Sequence, residues 1–249
     1  MSSLYLDIGN SSVKMVAKKA GRWGVAEKIP HADMEILSQR INRDYREFDV
    51  LCCSVRKDLA GVLEKHLETE VFTLLTVPMV PRQLLNYHSP ETLGMDRYLA
   101  CFGAAMSAGS GVIVIDGGTA CTVDFMSGEG VFHGGAILPG LTVTEHHFKQ
   151  SLPELPLPQS EIPSQWPGKT TRECIQWGLY GGFRAAIQQF IDLTLNSSHE
   201  PLKLFVSGGD AERIANMLGN DHPLIVDQHL LFKGMELFHK KRSDKQLPI

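Results

Sequence analysis

Two segments of this chain repeat one pattern, and that repeat limits the possible folds more than any other feature of the sequence. Asp7-Ile8-Gly9-Asn10-Ser11-Ser12-Val13-Lys14 follows the apolar run Leu4 to Ile8, and Asp116-Gly117-Gly118-Thr119-Ala120-Cys121-Thr122-Val123-Asp124 follows Val112 to Ile115. Each reads Asp, any residue, Gly, then Asn or Thr, with small hydroxyl residues before a second β-like stretch. A strand–turn–strand unit that opens each half implies two lobes, 1–110 and 111–249, framing one cleft between them.

The rest of the chain fits an α/β reading. Short apolar runs at Val50 to Val55 and Leu204 to Val206 read as further buried strands. Helical spacing runs over Arg97 to Ala108, from near Thr171 through Leu193, and over Asp210 to Leu218. Thr170 with Glu173 matches a capping box at the start of the second helix. Strands interleaved with helices are the signature of α/β architecture. Ser151 to Lys169 holds five prolines and is expected to be an ordered loop, and Lys240 to Lys245 a solvated, frayed tail.

Composition narrows the function classes. The chain has 249 residues, 43% hydrophobic and 21% charged, which excludes disorder. Its 24 Lys+Arg against 28 Asp+Glu give a net charge of -4, so no nucleic-acid or anionic-membrane partner is expected. The first residues carry no basic stretch, and no apolar run reaches the roughly 20 residues of a membrane helix, which predicts a cytoplasmic protein. Five cysteines without a Cys-x-x-Cys disfavour a disulfide framework or a zinc site. His146-His147 lack the i, i+4 spacing of two metal ligands on one helix face. Cys52-Cys53 read as small core hydrophobes, and Trp166, Trp177 and Phe183 as core or interface residues.

Gly and small polar residues in a turn let backbone N–H groups approach an anion closely. Asn10, Ser11, Ser12, Thr119 and Thr122 add side-chain donors, so each turn can cradle a phosphate. A carboxylate about 4 Å from a phosphate charge is repelled by roughly 4 kcal/mol at an effective dielectric of 20, about a thousandfold in affinity. Asp7 and Asp116 therefore call for an intervening cation, with Mg2+ the usual partner of a polyphosphate. The plainer alternative is a pair of ordinary Asx turns. Val206-Ser207-Gly208-Gly209-Asp210 places paired glycines between strand and helix, where a flat adenine or ribose could lie on the backbone, or where the chain simply turns tightly. Neither the Rossmann nor the P-loop glycine pattern is present. Gly94-Met95-Asp96-Arg97 precedes a helix: Asp96 is either a cap or a base for an acceptor hydroxyl, with Arg97 holding an anion. Gly134 to Gly140 either brings backbone close to a ligand or makes a packed bend.

Taken in order, Asp7-x-Gly9-Asn10-Ser11, Gly94-x-Asp96-Arg97, Asp116-x-Gly118-Thr119-Ala120-x-Thr122, Gly134-Gly135-x-Ile137-x-Pro139-Gly140 and Ser207-Gly208-Gly209-Asp210 resemble the motifs of type III pantothenate kinases, over Asp7 to about Gly234. The phosphate turns are shared with the wider sugar-kinase, Hsp70 and actin superfamily; the Gly-x-Asp-Arg and Gly-Gly-x-Ile-x-Pro-Gly stretches are more specific. The resemblance implies two ribonuclease-H-like lobes with the active-site cleft between them, and a homodimer with the substrate site at its interface. It implies transfer of the ATP γ-phosphoryl to the primary hydroxyl of pantothenate, giving 4'-phosphopantothenate, the first step towards coenzyme A. By the same resemblance Asp96 is the general base; Tyr87, Gly94, Met95, Asp96 and Arg97 contact pantothenate, and Thr171 reaches it from the partner subunit. Asp7, Ile8, Gly9, Asn10, Ser11, Ser12, Val13 and Lys14 hold ATP with Thr119, and Asp116 binds the K+ or NH4+ required besides Mg2+. Met95 replaces a small residue and would crowd the acceptor pocket; Ser207 replaces a frequent Thr and keeps its hydroxyl. The alternatives are an accessory regulator of the same family, or another small-molecule kinase or phosphatase of the superfamily.

Overall fold

In the computed structural model, which describes residues 2–247, the repeated motif is the centre of a repeated sheet. The first sheet comprises β1 (Ser3–Ile8), β2 (Ser12–Lys19), β3 (Arg22–Trp23), β4 (Glu27–Pro30), β5 (Asp49–Ser54) and β6 (Phe72–Leu75), in the order β3-β2-β1-β5-β6, with β4 also on β2. The second comprises β7 (Gly111–Gly117), β8 (Ala120–Met126), β9 (Phe132–Pro139), β10 (Leu202–Ser207) and β11 (Leu224–Val226), in the order β11-β10-β7-β8-β9. In each, the motif strand is antiparallel to its hairpin partner and parallel to the strand on its other side.

The described helices are α1 (Met34–Asp44), α2 (Lys57–His66), α3 (Met95–Ala108), α4 (Leu141–Ser151), α5 (Thr171–Gln176), α6 (Gly182–Ser197), α7 (Ala211–Leu218) and α8 (Leu230–Ser243). Central strands covered on both faces lose the polar alternation of an exposed sheet, which is why β1 and β7 read as nearly continuous apolar runs. Leu4, Leu6 and Ile8 of β1 pack with Leu37 and Ile41 of α1 and Leu63 of α2. The alternate residues Ser3, Tyr5 and Asp7 face the other side, where Tyr5 meets Trp23 and Phe232. In the second sheet Ile113, Ile115, Leu204 and Val206 join Tyr180, Ile187, Ile191 and Ile214.

By internal contacts the chain forms two units: residues through 107, 130–132 and from 229 onward, and residues 108–129 with 133–228. The segment from residue 229 onward belongs to the first unit, where α8 crosses α3 at backbone contact. A Cβ on Gly234 would lie 1.9 Å from the Leu99 carbonyl oxygen, and one on Gly103 would lie 2.7 Å from that of Leu230. Phe238 fills the crossing, edge-on to Tyr98 at 5.8 Å and Phe102 at 5.7 Å.

Lys240, Lys241 and Arg242 are not a frayed tail: they form the last turn of α8, where cations complement the helix dipole. The helix expected from near Thr171 starts with the capping box intact, Thr170 Oγ1 accepting from the Glu173 amide at 3.2 Å and Glu173 Oε2 from the Thr170 amide at 3.0 Å. It then widens into a π-type turn over Trp177–Gly181 before continuing as α6. Gly134 and Gly135 lie within β9, and a Cβ on Gly135 would lie 1.9 Å from the Val123 carbonyl oxygen, so strand packing requires it. Among the described residues no helix is long and apolar enough to cross a membrane.

Candidate active site

In the first unit the hairpin between β1 and β2 turns through four residues, since Ile8 still pairs with Val13. The Gly9 amide donates to the Ser12 carbonyl at 3.0 Å, leaving Asn10 and Ser11 exposed at the tip. Ile8 and Val13 are fully buried in the core, so only their backbone faces the turn. Asp7 is 6% exposed and lies in register with Lys14 on β2 and Cys53 on β5. Lys14 Nζ stands 4.0 Å from Asp7 Oδ2, and the Cys53 thiol donates to Asp7 Oδ1 at 3.7 Å. Burial, with the Asp7 carboxylate beside it, holds the Cys53 thiol well above the usual thiol range, so it remains a donor.

Also in this unit, Gly94-Met95-Asp96-Arg97 forms the entry to α3. Asp96 is half-buried in the first turn, and its Oδ1 accepts from the Arg97 amide at 2.9 Å, so the carboxylate lies in the field of the helix N-terminus. Arg97 lies over the Phe132 ring at 5.7 Å, and the Tyr87 ring is 6.0 Å from the same Phe132. Phe132 also accepts the Asn86 amide at 2.9 Å through its carbonyl and thereby fixes the Tyr87 segment. No local pattern in the sequence singles out Phe132; only the fold brings it between Tyr87 and Arg97. Met95 is 4% exposed and lines an apolar cavity of about 650 Å3 with Leu75, Val80, Leu85 and Leu93.

In the second unit the hairpin turn is one residue shorter: Gly117 pairs with Cys121, and the Gly118 amide donates to the Ala120 carbonyl at 3.0 Å. Asp116 is half-buried, in register with Thr122 and Ser207, and has no ion-pair partner among the described residues. The Ser207–Asp210 turn closes directly on this hairpin, with the Asp210 amide donating to the Gly117 carbonyl at 3.0 Å. Gly208 adopts φ +88, and a Cβ there would lie 2.3 Å from the Gly117 oxygen and 2.4 Å from Asp116 Oδ1. Thr119 is exposed at the tip, its carbonyl accepting the Gly140 amide at 2.9 Å. Thr171 is the exposed first residue of α5, in a different unit from Tyr87 and Asp96.

The turn glycines separate folding from binding. Gly208 is required by its own backbone. Gly9 and Gly118 are not: neither has a positive φ, and an added Cβ would meet only Ser12 O at 3.4 Å or Ala120 O at 3.6 Å, ordinary contacts. A glycine that the protein's own packing does not require is explained when something outside it must approach the backbone. Among the described residues no group of three or more His, Cys, Asp or Glu side chains could hold a metal ion. Single carboxylates such as Asp7 and Asp116 suit instead a cation bound mainly by phosphate and water.

The family described as type III pantothenate kinase matches residues 3–193. A Dichelobacter nodosus protein named type III pantothenate kinase is 33% identical over 93% of this chain and 95% of its own. Among solved structures, a Campylobacter jejuni protein described as a Baf family transcriptional activator aligns over 97% of this chain and 99% of its own, with a TM-score of 0.66 at 21% identity. The MreB5 protein of Spiroplasma citri, bound to ADP, covers 98% of both chains with a TM-score of 0.57 at 12% identity. These two likenesses show the fold alone, a mixed α/β architecture.

Proposed function

Because the chain belongs to the type III pantothenate kinase family, whose enzymes phosphorylate pantothenate at the expense of ATP on the route to coenzyme A, we propose a specific division of labour among its residues. Asp7 to Lys14 and Thr119 hold the ATP phosphates through backbone amides, hydroxyls and the Lys14 ammonium. Tyr87 and Gly94 to Arg97 hold pantothenate, with Arg97 pairing its carboxylate. Met95 contributes packing rather than a polar contact, as its burial supports.

In the reaction the acceptor hydroxyl oxygen bonds to the γ-phosphorus as the bond to the β,γ-bridging oxygen breaks, and ADP leaves. Asp96, half-buried at the entry to α3 beside Arg97, takes the hydroxyl proton as general base. A divalent cation, when bound, neutralises charge building on the phosphates. Asp116, which lacks an ion-pair partner among the described residues, takes the monovalent cation, K+ or NH4+. Thr171, the exposed first residue of α5, completes the acceptor site from a second copy, and the working form is then a homodimer.

The observation that carries this reading is the pair of turn glycines, Gly9 and Gly118, which the fold itself does not require. Its test is the Asp96→Asn variant, assayed for ADP release dependent on pantothenate with Mg2+ and K+ supplied. Turnover should fall roughly a hundredfold or more while the unfolding midpoint holds. Undiminished turnover would return Asp96 to a helix-capping role.

A further inference from the structure

Asp210 occupies the N-cap position of α7, yet its carboxylate makes no cap hydrogen bond to that helix. It turns instead to Thr142, whose hydroxyl donates to its two oxygens at 3.3 and 3.4 Å, and to Arg213, whose Nη1 donates to Oδ1 at 3.1 Å. Asp210 is only 8% exposed, on a residue whose amide is bonded to the Gly117 carbonyl in the phosphate-turn hairpin. The same guanidinium reaches Glu145 on α4, Nη2 to Oε1 at 2.5 Å. Glu145 also accepts from the Tyr180 hydroxyl at 3.0 Å, which lies 3.1 Å from the Pro158 carbonyl, so its single proton serves one acceptor at a time. Burial first, and then the Glu145 carboxylate, push the Tyr180 hydroxyl up to about 12, so it remains a donor. Pro158 is the buried residue of an otherwise exposed stretch, 152–159.

Two carboxylates thus share one guanidinium, directly behind a turn that already carries Asp116. We propose that Arg213 is a positioning residue of the nucleotide site: it draws the Asp210 carboxylate away from the Gly208-Gly209 backbone and neutralises it, so that this turn accepts a nucleotide whose polyphosphate lies at the adjoining β7–β8 hairpin. The proposal rests on the nucleotide reading of this turn and names what makes that turn tolerant of negative charge. Glu145 competes with Asp210 for the same guanidinium, and Tyr180 links Glu145 to the Pro-rich segment.

Charge arithmetic makes the two arms of the network behave oppositely. Arg213→Gln leaves Asp210 and Glu145 uncompensated, whereas Glu145→Gln leaves Arg213 to Asp210 alone. Calorimetry of the full-length protein with AMP, ADP and ATP tests this. For Arg213→Gln the loss should grow along that series to about tenfold for ATP. Arg213→Lys should recover most of it, Asp210→Asn added to Arg213→Gln should restore ATP binding, and Glu145→Gln should bind ATP as tightly as wild type or more so. Equal losses for all three nucleotides, or a Glu145→Gln that weakens ATP as Arg213→Gln does, would show that the network only props the fold, and the proposal would be wrong. Should Arg213→Gln fail to fold, the Glu145→Gln and Arg213→Lys variants still decide. Wild-type protein that binds no nucleotide sinks the nucleotide reading itself, a separate outcome.

Discussion

The β1–β2 and β7–β8 hairpins occupy the same place in two sheets of the same strand order, yet they handle charge differently. Asp7 has a lysine across the hairpin and a thiol on the parallel strand; at the matching places Asp116 has Thr122 and Ser207. The first turn is longer by one residue and more exposed at its tip. After the parallel strand, the first sheet continues through Ser54-Val55-Arg56, whereas the second continues through Ser207-Gly208-Gly209-Asp210. The two frames share one strand order, and the side chains set on them differ. One carries a lysine as counter-charge to its aspartate, and the other pairs its aspartate with Thr122 and Ser207 beside the Gly208-Gly209 turn, the difference on which the proposed split between phosphate and cation rests.

The comparison can be broken at three points. The largest effect is expected at Gly208→Ala, because a Cβ at φ +88 would collide with the Gly117 carbonyl. A loss of about 3 kcal/mol or more in urea unfolding follows, and an unchanged midpoint would mean that the glycine pair serves only the ligand. Next comes the ion requirement. Asp116→Asn should abolish stimulation of turnover by K+, whereas Lys14→Met should raise the KM for ATP by roughly tenfold and leave the ratio of rates with and without K+ intact. Equal K+ responses in the two variants would erase the distinction between the hairpins. The smallest effect is expected at Gly9→Ala and Gly118→Ala: stability unchanged or raised by up to about 1 kcal/mol, with ATP affinity in calorimetry lowered a few fold. Tight ATP binding in both would remove the argument for close backbone approach.

Much of this was legible in the sequence because the governing signals are local. The echo of Asp-x-Gly after an apolar run, the Gly-Gly of Ser207–Asp210 and the Thr170–Glu173 box each depend on residues a few positions apart, and each stands as a turn or cap. What escaped was set by distant partners. The polar faces of Lys240 to Lys245 suggested a tail, because the Gly103–Gly234 approach that holds α8 spans more than half the chain. The part played by Phe132 between Tyr87 and Arg97 follows from β9 placement, and no motif marks it. Arg213 and Glu145 were invisible for the same reason: they are unremarkable surface-type residues until α4 and α7 bring them to one carboxylate.

The crossing of α3 by the final helix has a consequence for how the molecule is made. A chain emerging from the ribosome presents β1 and α3 well before the Phe238 plug that caps Tyr98 and Phe102. The unit that contains β1 and α3 therefore closes around α8 only after residues 133–228 of the other unit have been synthesised in between.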